Sequence, residues 1–194
     1  MAGGLELHTW NSAPGKPEEP SRFVFDLDPA PDPDLDFNDV IAAAKALNTR
    51  LEALGFNTFV KTTGGKGLHL VTPFKANGVD WKAAKAIARE ICARMAADET
   101  DKYLVNMSKD KRKGHIFLDY LRNDRMAKAV APLSPRARPG ATVSMPLTWT
   151  QVKKGLDPHA FTVRTAPKLL AKSPAWKHYG DRLRDLKAIT RKLS

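Results

Sequence analysis

The sequence of 194 residues is almost free of cysteine, with Cys92 as its only thiol. A single cysteine excludes an intramolecular disulfide framework and a cysteine-based zinc site. The sequence has no run of about 18 apolar residues, so a transmembrane helix is not expected. Its beginning, MAGGLELHTWNS, has no basic segment followed by an apolar core, so no secretory signal peptide is expected either. These absences favour an intracellular protein, and the length fits one domain over residues 1–194.

Acidic residues are outnumbered, with 21 Asp+Glu against 32 Lys+Arg and a formal net charge of +11. Residues 1–60 hold four Lys or Arg and ten Asp or Glu, a net of −6, which leaves +17 for residues 61–194. A basic chain favours an anionic partner, with nucleic acid as the first candidate and a membrane surface as the weaker one. The acidic segment suits carboxylates that hold cations beside basic groups that hold phosphates. A solvated acidic loop beside a basic surface explains the charges equally well.

The hydrophobic pattern predicts both strands and helices. Strands are predicted at residues 23–28, 56–61, 68–74, 115–121 and 159–165, with a short extended piece at 143–145. Helices are predicted at residues 38–54, 81–97, 124–131 and 181–193, with a further short helix capped by Thr148. Loops are predicted at residues 11–21, 29–36, 62–67, 108–114 and 132–140. This mixture, without an internal repeat, indicates an α/β or α+β fold.

Two acids, Asp26 and Asp28, interrupt the apolar run FVFDLD. On a strand they point to the same face, with Cα atoms about 6.6 Å apart. Two carboxylates on one face repel each other unless a cation lies between them, and Mg²⁺ or Mn²⁺ is the natural choice. A solvated strand end explains the pair equally well. The same DxD pattern occurs in glycosyltransferases and phosphatases, although Ala30 at the fifth position counts against the phosphatase motif.

A glycine-rich segment, TTGGKGLH, lies between two predicted strands. Three glycines let the backbone approach a ligand closely, and their N–H groups can form an anion-binding nest. Thr63 adds a hydroxyl, Lys66 a positive charge and His69 an imidazole. The spacing does not match the P-loop pattern. A β-hairpin turn with an exposed lysine is the simpler and more common explanation of such a loop.

Asp119 stands in the otherwise apolar strand IFLDYL. An isolated buried carboxylate is costly, so it should find a metal ion or a basic partner. Arg122, three residues later, and Arg136 and Arg138 in the following loop can bind phosphate through two hydrogen bonds each. An ion pair between Asp119 and Arg122 at the strand end is the alternative.

Four cations lie in the turn SKDKRKG before that strand: Lys109, Lys111, Arg112 and Lys113. Such a turn can bind a nucleic acid backbone, and each neutralised phosphate adds to the salt dependence of binding. A solvated hairpin tip is an equally good interpretation of these four residues.

Four segments resemble, in order, the polymerase domain of bacterial DNA ligase D, a member of the archaeo-eukaryotic primase superfamily. The segments are FVFDLDP, KTTGGKGLHLV, MSKDKRKGHIFLDYLRN and APLSPRARPGATVSMPLTW. The resemblance implies a primase-polymerase α/β (α+β) fold whose RRM-like catalytic sheet is flanked by helices. It also implies template-directed nucleotidyl transfer, as a DNA or RNA primase-polymerase, in bacterial non-homologous end joining.

The resemblance further implies partners and site residues. DNA break ends, primer-template and nucleoside triphosphates are the expected partners, with a ligase subunit and the end-binding Ku protein as further candidates in the bacterial cytosol. Asp26, Asp28 and Asp119 are expected to hold two divalent ions, Mn²⁺ or Mg²⁺. The expected nucleotide-binding residues are His8 in LELHTW, Thr63, Lys66, His69, Arg122 and Arg136. Thr63 stands where the family has serine, and Thr9 stands where it usually has proline.

The chain begins only a few residues before the LELHTW motif, whereas the family normally has a substantial segment there. We therefore expect an N-terminally truncated domain, with a strand and loop at residues 1–21 and the catalytic core and a basic C-terminal helix at residues 22–194. A catalytically impaired remnant that binds nucleic acid is the alternative. A different DxD enzyme is disfavoured because three further motifs follow in the family's order.

Overall fold

The computed structural model describes residues 4–29, 35–181 and 183–193, without the side chain of Lys109. Ala30, most of the predicted loop at residues 29–36, and Arg182 in the predicted C-terminal helix lie outside the described residues. The strands are β1 (His8–Trp10), β2 (Ser12–Ala13), β3 (Lys16–Pro20), β4 (Arg22–Pro29), β5 (Phe59–Thr62), β6 (Leu68–Lys75), β7 (Tyr103–Leu104), β8 (Ile116–Asp119), β9 (Lys128–Val130), β10 (Pro146–Leu147) and β11 (Arg184–Asp185). The helices are α1 (Phe37–Leu54), α2 (Trp81–Asp98), α3 (Ala166–Leu170) and α4 (Leu186–Thr190), with 3₁₀ turns at Lys109–Lys111 and Pro158–Ala160.

One central sheet has the strand order β10-β5-β6-β4-β8-β7, and β11 pairs with β6. Its neighbours are antiparallel except for β7 beside β8 and β11 beside β6. The register places Asp26 of β4 opposite both His69 of β6 and Asp119 of β8, and His69 opposite Lys61 of β5. These four side chains therefore form one row across four strands, on one face of the sheet.

The other face of the sheet is covered by α1 and α2. Phe23, Phe25 and Leu27 of β4 lie in the same buried core as the apolar faces of both helices. Because side chains alternate along a strand, the other set of residues of β4, which includes Asp26 and Asp28, faces away from this core. One face of β4 thus packs against the helices, and the opposite face carries the polar side chains.

Both long helices begin and end as their sequences predict. Asp36 caps α1, and its side chain accepts from the N–H groups of Asn38 and Asp39. Gly55 ends the helix with a φ of 100°, a conformation that favours glycine. Asp80 caps α2 by accepting from Ala83 N–H. None of the helices in the described ranges is long and apolar enough to span a bilayer.

Two predictions, one near the N-terminus and one in the middle of the chain, are wrong because strand pairing decides the structure there. Residues 11–21 are not a loop, since β2 and β3 pair as an antiparallel hairpin. Residues 124–131 are not a helix, since a turn leads into β9, which pairs with β1 so that His8 lies opposite Val130. Pairing with a strand more than a hundred residues away overrides the local helical preference.

Three further predictions fail in the last third of the chain. Residues 159–165 form no strand, because Asp157 caps the 3₁₀ turn Pro158–Ala160 and turns follow it. The segment after Thr148 consists of turns, and the Thr148 N–H donates to the side chain of Gln151. In place of one helix over residues 181–193, the structure has β11, held by pairing with β6, and then the five-residue α4.

Candidate active site

The row across the sheet carries close charge contacts. Nε2 of His69 lies 3.3 Å from Oδ1 of Asp26. The guanidinium of Arg122 lies between two carboxylates, with Nη2 3.3 Å from Oδ2 of Asp26 and Nε 3.3 Å from Oδ2 of Asp119. Lys61, His69 and Asp119 are buried. The expected ion pair of Asp119 with Arg122 is thus present, and Asp26 shares the same arginine.

Burial and neighbouring charges determine which side chains of this row are protonated. Burial alone would raise the pKa of Asp26, but His69, Arg122 and Lys61 outweigh it and lower that pKa to about 2. Burial lowers the pKa of His69 to about 4, and the charge of Lys61 acts in the same direction. At neutral pH the site therefore holds an ionised Asp26 beside a neutral imidazole. Nδ1 of that ring is buried and has no hydrogen-bond partner among the described residues.

The other two acids are less well compensated. Burial raises the pKa of Asp28, and the negative charge of Asp26 raises it further. Burial also raises the pKa of Asp119, although Arg122 opposes this effect and Leu121 N–H donates to Oδ1 at 2.8 Å. A divalent cation would relieve this cost, since carboxylate oxygens are its preferred ligands.

The donor chemistry of Asp26, Asp28 and Asp119 therefore fits Mn²⁺ or Mg²⁺. As they stand, however, no three His, Cys, Asp or Glu side chains within the described part of the chain are grouped so that they could hold a metal ion. Arg122 occupies the space between Asp26 and Asp119. The two-ion site stays a prediction.

A cleft of about 190 Å³ opens beside Asp26 and His69 of the row, and all six predicted nucleotide-binding residues line it. Predicted residues that line the cleft are His8, Asp26, Asp28, Thr63, Lys66, His69, Arg122 and Arg136. Carboxylates and cations thus meet in one cleft, which is the arrangement that a metal-bound triphosphate needs.

The glycine-rich loop is held from inside by Thr63. Its Oγ1 accepts from the N–H groups of Gly65 (3.2 Å) and Gly67 (3.3 Å), so the hydroxyl already engages two of the amides expected to bind an anion. Gly67 has a packing role, because a Cβ there would come within 2.6 Å of the carbonyl oxygen of Leu27 on β4. Arg136 secures the loop by donating to the backbone oxygen of Thr63.

Glu6 is a residue that the sequence reasoning missed. Its Oε2 lies 2.8 Å from Nε2 of His8 and 3.1 Å from Nε of Arg136, while its Oε1 accepts from Ala137 N–H. The hydrogen bond with His8, followed by that from Ala137, lowers the pKa of Glu6 to about 2. Its position two residues before His8, on the same side of an extended segment, is the signal that could have identified it.

Three basic residues at the site were also missed or left out of the predicted set. Lys128 and Arg138 line the cleft. Lys128 was hidden in a predicted helix, and Arg138 was named only as a possible phosphate ligand. Lys61 is 1% exposed, and its Nζ donates to Oγ of Ser144 at 2.7 Å. A lone lysine in the strand-like run FVKT was the available signal.

The cleft is not lined by Lys111, Arg112 or Lys113 of the basic turn, although the positive charge of Arg112 opposes the rise in the pKa of both Asp28 and Asp119. Arg112 folds back on its own turn, with its guanidinium carbon 3.8 Å from the centre of the Phe117 ring and Nη2 donating to the backbone oxygen of Met107. Lys111 and Lys113 are exposed, and the side chain of Lys109 is outside the described part. Phosphate binding by this turn stays a prediction.

A family model described as "LigD, primase-polymerase domain" matches residues 1–176. This chain belongs to the LigD primase-polymerase family. The multifunctional non-homologous end joining protein LigD of Pseudomonas aeruginosa is 36% identical over 98% of this chain and 23% of its own length. The protein of the same name from Mycolicibacterium smegmatis is 30% identical over 76% of this chain and 19% of its own length.

The family assignment agrees with a solved structure. The polymerase domain of Mycobacterium tuberculosis Ligase D, in complex with DNA, superposes with a TM-score of 0.76 at 27% identity. The match covers 90% of this chain and 62% of that one. The resemblance and the fold class predicted from the sequence are confirmed. This LigD-family chain spans about a quarter or less of the length of the curated relatives named here.

Proposed function

We propose that this chain, acting as one polymerase domain over residues 1–194, catalyses metal-dependent, template-directed nucleotidyl transfer in bacterial non-homologous end joining. The observation that carries the proposal is the single cleft in which Asp26 and Asp28 face the cations Lys66, Arg122 and Arg136. LigD relatives, one of them solved with DNA, support DNA break ends and primer-template as its partners.

The residues in and beside the cleft have different roles in the proposed reaction. Asp26, Asp28 and Asp119 would hold Mn²⁺ or Mg²⁺, which when bound supplies activation of the attacking hydroxyl and neutralisation of phosphate charge. Lys66, Arg122 and Arg136 bind the triphosphate, with His8 and the hydroxyl of Thr63 at its edge. Neutral His69 fixes the orientation of the Asp26 carboxylate through Nε2. The primer 3′-hydroxyl attacks the α-phosphorus and pyrophosphate leaves, so no protein nucleophile is needed.

The setting of this reaction is the bacterial cytosol. Nucleoside triphosphates, a ligase subunit and the end-binding Ku protein complete the proposed set of partners. They are supported by the family membership of the chain.

The test is manganese-dependent primer extension by the purified protein, compared with the Asp26→Ala/Asp28→Ala variant. We expect extension by the wild type and a loss of about a hundredfold or more in the variant, because several kcal/mol of charge stabilisation disappear. Asp101→Ala, an exposed acid away from the cleft, should extend like the wild type. Absence of extension by the wild type under all metal conditions would contradict the proposal.

A second candidate, binding of nucleic acid without catalysis, is favoured by the place of Arg122 between Asp26 and Asp119. An arginine that stays there would compete with a metal ion for both carboxylates. DNA binding that survives the double alanine substitution, in a protein that extends no primer, would support this second function.

A further inference from the structure

A second cavity, of about 290 Å³, lies beside the cleft and is separate from it. Ala129 and Val130 of β9 line both spaces, so this strand forms the wall between them. The floor of the second cavity is Val24 of β4 and Val71 of β6, which lie opposite each other in the sheet. The cavity therefore opens on the same face of the sheet as the Asp26 row, one pleat further along the strands.

An aromatic pair forms a side of this second cavity. The rings of Trp176 and Tyr179 are stacked, with centroids 5.1 Å apart and planes at 6°, and Phe59 packs edge-on against both. The backbone of Trp176 has a φ of 63°, which is unusual for a bulky residue. Such a conformation persists only where the surroundings fix it, and strained positions cluster at binding sites.

The polar groups of the second cavity are cationic or neutral. Lys61 and Arg22 line it, and none of its described lining residues is acidic. Arg22 is already committed, since it donates to the side chain of Asn11 and to the backbone oxygen of Trp10. Nζ of Lys61 carries more than one N–H donor, and the bond to Oγ of Ser144 uses one of them. The cavity thus combines apolar and aromatic surfaces with a buried donor.

We propose that the second cavity binds a single nucleobase, which lies against the side formed by Trp176 and Tyr179 and accepts a hydrogen bond from Lys61. A flat, apolar ring with carbonyl and ring-nitrogen acceptors matches this lining, and its volume is at the small end for ligand pockets. Stacking on aromatic side chains tolerates every base, so the site needs no sequence preference. The inference rests on the proposed function for the presence of nucleic acid or nucleotide next to the cavity.

The base has two possible sources, a nucleotide whose phosphates lie in the cleft or an unpaired base at a DNA end. 2-Aminopurine distinguishes them, because the emission of this fluorescent base is quenched when it stacks on aromatic rings. The probes are a duplex with one unpaired 3′-terminal 2-aminopurine, the same duplex with the base paired internally, and 2-aminopurine ribonucleoside triphosphate with Mn²⁺. Quenching of the first probe identifies a DNA end as the source, and quenching of the third identifies the nucleotide.

Trp176→Leu is the test variant, and Trp149→Leu is its matched control. Both indoles donate to a carbonyl oxygen next to or within β5, Trp176 to Val60 at 2.9 Å and Trp149 to Thr58 at 3.1 Å. We expect Trp176→Leu to abolish the quenching and to weaken binding of the responding probe about tenfold. Trp149→Leu should leave both unchanged.

Lys61→Met keeps the aromatic side and tests the cavity even if Trp176→Leu does not fold. It should weaken binding of the responding probe about fivefold while quenching persists at saturation. Equal behaviour of the wild type, Trp176→Leu and Lys61→Met, or no quenching of any probe by the wild type, would overturn the proposal. Quenching that depends on Trp176 in a protein that extends no primer would leave the cavity in place and refute the polymerase activity.

Discussion

At the scale of single residues, the site depends on which groups keep their charge when they are buried. His69 and Asp26 are in contact, yet burial makes the imidazole neutral while the surrounding cations keep the carboxylate ionised. At neutral pH the folded pair therefore carries one negative charge, that of the Asp26 carboxylate. This arrangement has consequences that can be measured without substrate.

His69 should make stability depend on pH in a defined window. Its pKa is about 4 in the fold against 6.5 for an ordinary histidine. Between these values the unfolded chain binds a proton that the folded chain does not, so stability falls as pH falls from about 6.5 to 4. We expect a loss on the order of 2–3 kcal/mol in the wild type and a flatter profile for His69→Gln. Urea unfolding at a series of pH values, with a chelator present, measures this.

In the wild type, Asp26 does not titrate within that window. Its pKa is lowered, from 3.8 to about 2, so its contribution is present above pH 3.8 and is lost only as pH falls further. Parallel profiles for the wild type and His69→Gln between pH 6.5 and 4 would show that the folded imidazole is not held neutral.

Glu6 should act on nucleotide binding through His8 and Arg136. Glu6→Gln preserves the size of the side chain but removes the charge that both residues face. We expect the KM for nucleotide to rise about fivefold to tenfold with little change in kcat. The reason is that the side chains of His8 and Arg136, which are proposed to bind the nucleotide, are held less firmly in the cleft. Steady-state extension kinetics give both constants. Glu19→Gln, an exposed acid paired with Lys16 on β3, is the control and should match the wild type.

At the scale of elements, close approach of the glycine-rich loop to β4 is a packing requirement. Gly67→Ala would place a Cβ 2.6 Å from the backbone oxygen of Leu27, and backbone cannot move aside as a side chain can. We expect destabilisation of about 1–3 kcal/mol, measured by urea unfolding. Gly180→Ala, where the space is open, should change stability by less than about 0.5 kcal/mol. Equal stability of the two variants would mean that the loop does not pack against β4 in this way.

The elements that could be predicted from the sequence are those with local signals. The helices α1 and α2 carry their own caps and apolar faces, and β4 and β6 carry apolar, β-prone runs. By contrast, β9 and β11 are strands only because distant segments pair with them. A pattern read over ten residues holds no information about such partners.

The candidate site divides in the same way. Asp26, Thr63 and His69 lie on elements with clear local signals, so the sequence identified them and the structure brings them into one cleft. Lys128 was hidden because β9 was predicted as a helix. The cavity beside Trp176 was missed because its lining residues come from six separate segments of the chain.

At the scale of the whole molecule, the excess of 32 Lys+Arg over 21 Asp+Glu predicts DNA binding that weakens with salt. The exposed residues Lys111 and Lys113 are candidates for backbone contacts. Replacing both with glutamine should make the slope of log K against log salt less steep by about 0.9 for each lost phosphate contact. Fluorescence anisotropy with duplex DNA between low and moderate salt measures the slope.

The matched control for that experiment is the double variant Lys168→Gln/Lys172→Gln. It removes the same charge from exposed positions near α3. If both double variants change the slope equally, binding follows net charge alone, and the basic turn has no special role.

The row of Lys61, His69, Asp26 and Asp119 also bears on how the chain avoids misfolding. Each member comes from a different strand, and a shift of any strand by one residue moves its side chains to the opposite face of the sheet. A slipped β4 would bury Asp26 and Asp28 among the aromatic rings of the core, where an unpaired carboxylate is very costly. The charges of this row therefore penalise a one-residue slip of the strands that carry them, so side chains placed at and beside the cleft also favour the correct strand alignment.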